Sequence, residues 1–134
     1  MKYSAFILIL AFRILYQPSA SETAVDAFTN PTASIIAIPP AKLISVEGKI
    51  YNNKVVLDWI VGENETADQF QVEKSTDGKN FTLAALVFGT DKPAKANYQF
   101  YEKASNQKIS YRIKLVNKNK QTEYSSVVEI NPGA

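Results

Sequence analysis

The run Phe70-Gln-Val-Glu-Lys-Ser-Thr-Asp-Gly-Lys-Asn-Phe81 constrains the fold more than any other stretch. Phe70 and Val72 alternate with Gln71 and Glu73, then Thr76-Asp77-Gly78-Lys79 forms a turn signal and a second β-rich run follows. Apolar residues spaced by two suit a strand buried on one face, and Asp-Gly suits left-handed turn positions. The run therefore predicts a β-hairpin. A lone hairpin is marginal in water, so the rest of the chain has to supply strands that pack on it.

Strand patterns do recur at short intervals from Lys42 onward. Residues 43–51 read as a first strand, ending in an Asn52-Asn53 turn. In 54–61, Val55, Leu57, Trp59 and Val61 share one face, while Lys54, Val56, Asp58 and Ile60 share the other. The hairpin arms follow at 69–75 and 81–88. Residues 97–102 place Tyr98 and Phe100 together. Residues 109–117 turn Ile109, Tyr111, Ile113 and Leu115 inward and Ser110, Arg112 and Lys114 outward, and 122–130 closes the set. Residues 63–68 and 89–96 read as loops. Seven short strands without a sustained helical period predict an all-β, seven-stranded immunoglobulin-like sandwich of two antiparallel sheets over residues 42–132. Trp59, the single tryptophan, is expected between the sheets with Phe70, Tyr111 and Leu115.

The N-terminus reads differently. Lys2 precedes an almost wholly apolar run over residues 4–16, and Pro18-Ser19-Ala20-Ser21 offers small residues for cleavage. Residues 1–21 are expected to be a signal peptide, cut after Ser21 or one residue earlier. The apolar run is shorter than the roughly 20 residues of a membrane span, and Arg13 interrupts it. Residues 22–41, with Asn30-Pro31 and Pro39-Pro40, have the composition of an extended linker. The expected location is outside the cytoplasm: periplasmic, at the cell surface or secreted.

Composition narrows the chemistry. The chain has neither Cys nor His, which rules out disulfides, thiolate nucleophiles, imidazole catalysis and anchoring as a Cys-linked lipoprotein. Lys and Arg number 15 against 13 acidic residues, but Lys2 and Arg13 belong to the expected signal peptide. The remainder is neutral, whereas nucleic-acid binding draws on a basic excess. No phosphate loop or serine-nucleophile motif occurs.

The hairpin run resembles a recurring fibronectin type III-like domain of secreted and surface proteins of Bacteroidetes. Val55-Val-Leu-Asp-Trp59 is similar to that domain's second strand and Tyr98-Gln-Phe100 to its fifth. Tyr111-Arg-Ile-Lys-Leu-Val116 and Tyr124-Ser-Ser-Val-Val128 are similar to its last two. The likeness spans roughly residues 42 to 130 and implies an accessory module without catalytic residues. Such domains commonly precede a type IX secretion sorting segment, which is not expected after Asn131-Pro132-Gly133. Asn117 and Lys120 stand where the family usually has Asp and Gly, which predicts a looser final turn.

Candidate sites are few. Glu63, Glu65 and Asp68 share one loop, as paired carboxylates for acid–base work would, but a polar inter-strand loop is ordinarily just solvated. Asn64, Glu65 and Asp68 are the best oxygen donors for calcium, without a recognised spacing. Glu73, Arg112 and Lys114 are expected to form cross-strand pairs on a solvated face. Asn64 and Asn80 begin N-x-[ST] glycosylation patterns. A contact surface is expected from Val56, Ile60, Phe88, Tyr98 and Tyr101, and Tyr51, Tyr98 and Tyr101 are the candidates for stacking on sugar. The sequence thus predicts a non-enzymatic module with no cofactor or metal, acting on a protein partner or as a spacer. The alternative is a small carbohydrate-binding accessory.

Overall fold

The computed structural model describes residues 37–133; the expected signal peptide and the linker up to residue 36 lie outside them. Among the described residues, eight strands form two antiparallel sheets. They are β1 (Lys42–Tyr51), β2 (Lys54–Gly62), β3 (Ala67–Ser75), β4 (Thr82–Phe88), β5 (Ala96–Lys103), β6 (Ile109–Asn117), β7 (Thr122–Tyr124) and β8 (Val128–Ile130). One sheet has the order β1-β2-β5. In the other, β4-β3-β6-β7 lie side by side and β8 also pairs with β6. A 3₁₀ turn, Asn64–Thr66, lies between β2 and β3. No helix among the described residues is long and apolar enough to cross a membrane.

The count is eight rather than the seven expected, because the run 122–130 breaks in two. Ser125 exchanges bonds with Ile113: its amide donates to the Ile113 carbonyl (2.8 Å) and its Oγ accepts from the Ile113 amide (2.8 Å). A side-chain oxygen thus replaces a backbone acceptor, and the strand leaves the ladder until Val128.

The hairpin forms, with β3 paired to β4, but its turn differs in detail from the expectation. Only Gly78 is left-handed (φ 73°). Asp77 works through its carboxylate instead: Oδ1 accepts from Ser75 Oγ and from the amides of Lys79 and Asn80, and Oδ2 accepts from Asn80 Nδ2. These bonds hold its carboxyl far below the usual carboxylate range, led by the two backbone donors. The Asn52-Asn53 turn behaves as expected: both residues are left-handed, as a two-residue hairpin connection requires.

The core lies between the sheets. Trp59 and Phe70 are fully buried, and Trp59 stacks on Tyr98 with centroids 5.8 Å apart. Leu57, Ile113, Leu115 and Tyr111 complete it, each large side chain contributing roughly 1.5–3 kcal/mol. Trp59 Nε1 has no hydrogen-bond partner, a cost of about 1–3 kcal/mol that this packing has to exceed. Ala41, at the end of the expected linker, is 2% exposed and belongs to the core. Asn117 fixes it there, accepting from the Ala41 amide at Oδ1 (2.9 Å) and donating to its carbonyl from Nδ2 (3.4 Å). An aspartate could only accept. The final turn is not loose either: Lys120 takes the left-handed position (φ 71°), and its amide donates to the Asn117 carbonyl (2.8 Å).

Candidate functional site

Strand alternation decides which side chains reach solvent, and pairing register decides which of them meet. On the three-stranded sheet Lys49 stands opposite Val56, and Val56 opposite Tyr101. One step toward the Asn52-Asn53 turn, Tyr51 stands opposite Lys54, and Lys54 opposite Lys103. These two rows lie on the outer face. Tyr51 is 62% and Tyr101 60% exposed, and the Nζ of Lys54 lies 5.0 Å from the Tyr101 ring centre. A shallow depression of about 370 Å³ beside Tyr101 is lined by Asn52, Asn53, Lys54, Glu102 and Lys103. Among the described residues, Lys49, Lys54 and Lys103 form no ion pair. The next row along is Glu47, Asp58 and Gln99, with two carboxylates facing each other and Gln99 donating to Asp58 (2.8 Å).

Of the expected contact residues, Val56, Ile60 and Tyr101 share this face. Tyr98 and Phe88 do not. Tyr98 is only 7% exposed: it points into the core against Trp59 and Phe70, and its hydroxyl donates to Asn64 Oδ1. The expected platform of three tyrosines is therefore reduced to Tyr51 and Tyr101. Phe88 is 66% exposed but sits on β4, the edge strand of the other sheet, which also exposes Leu83 and Leu86. Lys54 has the outward position expected of it, whereas Lys49 and Lys103 are not among the expected contact residues. The signal for such positions is alternation, since Lys54 is in phase with Val56 and Lys103 with Tyr101.

The loop candidates resolve differently. Asn64 is fully buried; its Nδ2 donates to the Lys92 carbonyl (2.8 Å) and Thr90 Oγ1 (3.2 Å). With its Oδ1 taken by Tyr98, it has no atom left for calcium or for a glycan. Asp68 lies 3.5 Å from Lys120 Nζ. Among the described residues no three acidic side chains converge as a metal site would need. Asn80 is exposed in the hairpin turn.

Of Glu73, Arg112 and Lys114, the first two form the expected cross-strand pair, but they are partly covered rather than fully solvated, and Lys114 has no acidic partner among the described residues. Glu73 and Arg112 are cross-strand partners, Nε to Oε2 2.6 Å, and the guanidinium lies 4.0 Å from the Phe81 ring centre and 4.4 Å from that of Tyr124. Lys114 lies 5.6 Å from the Tyr124 ring. At the open end of the sandwich Glu102 accepts from Tyr111 Oη (2.6 Å) and Lys74 Nζ (3.1 Å), tying the sheets together. Burial, then the Glu102 carboxylate, pushes the Tyr111 phenol well above its usual range.

No protein-family model and no curated protein matches the chain. Among solved structures, a β-1,2-glucanase from Parabacteroides distasonis is similar at 16% identity and a TM-score of 0.48. The match covers 69% of this chain and 13% of that one.

Proposed function

We propose that the chain is an exported, non-catalytic β-sandwich module of the fibronectin type III kind, working through contacts made by the outer face of its three-stranded sheet. Pairing of the second strand with the fifth and of the third with the sixth supports the fold reading, since immunoglobulin-type sandwiches pair their strands this way. The lack of Cys and His supports the non-catalytic reading.

One observation carries the choice of surface. Lys54 stands opposite Lys103 and Glu47 opposite Asp58, and like charges facing each other across strands oppose folding. A pure spacer would gain stability from opposite charges at those positions. A surface kept for a partner explains the arrangement.

The carbohydrate-binding alternative rests on Tyr51 and Tyr101, two exposed rings on one face. A glycan array and a pull-down from envelope extract, each run with the native chain and with Val56→Asp, test the reading. Binding lost in Val56→Asp supports it; binding of equal strength in both proteins overturns the choice of face.

A further inference from the structure

We infer that the Tyr51–Tyr101 end of the three-stranded sheet binds an acidic polysaccharide carrying about one carboxylate per sugar, a polyuronate. The inference rests on the reading that this face is the contact surface, and it names the ligand. Three lysines and two tyrosines surround Val56 in two adjacent rows. Sheet spacing puts the backbones of Tyr51 and Tyr101 roughly 12 Å apart, a span that a short oligosaccharide covers. An exposed tyrosine offers an apolar ring face to the C–H side of a pyranose and a hydroxyl at its rim. Lysine ammonium groups are mobile point charges suited to carboxylates spaced along such a chain. Asn52 and Asn53, exposed in the turn, add amide groups for sugar hydroxyls.

Two features set the class of polymer. The central strand β2 is paired on both sides, so what the face itself presents to a ligand is its outward side chains; a backbone ladder is open only at the rims, along β1 and β5. Glu47 and Asp58 bound the basic rows on one side. The basic strip between them and the Asn52-Asn53 turn is short, and its three lysines match a chain that carries a single carboxylate on each ring.

Affinity electrophoresis of the whole chain tests this, in gels containing polygalacturonate, a neutral β-glucan, dextran sulfate or poly-glutamate. Polygalacturonate is expected to retard the protein, and 0.5 M salt to weaken the effect because exposed charges are screened. Tyr101→Ala and Lys54→Gln should each weaken retardation about tenfold. Lys79→Gln, which removes the same charge from the hairpin turn, should leave it unchanged, with melting curves showing that every variant is folded. Equal loss in Lys79→Gln would mean unspecific charge attraction and overturn the inference. So would retardation by dextran sulfate alone, or none by any polymer. Equal retardation by poly-glutamate that disappears in Tyr101→Ala would overturn the sugar assignment and leave the contact face standing.

Discussion

On the five-stranded sheet Glu73 faces Arg112, and the guanidinium is flanked by Phe81 and Tyr124, so opposite charges meet across the strands there. On the three-stranded sheet Lys54 faces Lys103 and Glu47 faces Asp58, and the charges are sorted into bands. Both sheets use the same alternation to fill one core. The difference teaches that a strand's inner residues are chosen for packing, while its outer residues are free to favour either stability or a partner.

The shared core sets the scale for testing this contrast. Trp59→Ala should cost about 3–5 kcal/mol in urea denaturation, because it opens a cavity beneath both faces. A melting curve left unmoved would break the comparison at its root, since the sheets would not share that core. Arg112→Ala comes next, at about 2 kcal/mol, from the lost ion pair and two ring contacts. A double-mutant cycle with Glu73→Gln isolates the pair; zero coupling would show that the five-stranded face is no better matched than the other. Lys54→Glu should act in the opposite sense and raise stability by about 0.2–1 kcal/mol, by placing an acid opposite Lys103. A loss of stability there would mean that the three-stranded face is not in conflict.

Acid gives the smallest test. Asp77 sits in the turn joining β3 to β4, and its folded pKa lies below the usual value of 3.8. Its contribution is therefore fully present above about pH 4 and lost as pH falls through the folded value. Asp77→Asn keeps an acceptor in the turn but does not titrate. Its stability should fall less between pH 6 and pH 2 than that of the native chain, in parallel urea melts. Identical acid limbs would remove the turn from the list of stabilising features of that sheet.

The inward set was legible in the sequence because burial imposes a period of two. Val55, Leu57, Trp59 and Val61 alternate in the sequence and are all buried. The same rule separates Tyr98 from Tyr101, three residues apart and hence on opposite faces of one strand, so the two could not share a surface. What stayed hidden depends on partners distant in the chain. Lys54 meets Lys103 only through the pairing of β2 with β5, and Phe88 falls in the other sheet because β4 pairs with β3. Asn117 earned its amide at Ala41, across 76 residues, where no local pattern points. The split between β7 and β8 turned on one hydroxyl at Ser125 competing with a backbone acceptor.

Trp59 has a practical corollary. A lone indole, sealed from water and with its N–H unpaired, should fluoresce at short wavelength and shift to the red only when the sandwich opens. Its strand neighbours Asp58 and Ile60 point to the proposed ligand face while the indole itself does not. Emission colour would then report the integrity of the fold during a titration, without interference from whatever settles on the tyrosines outside.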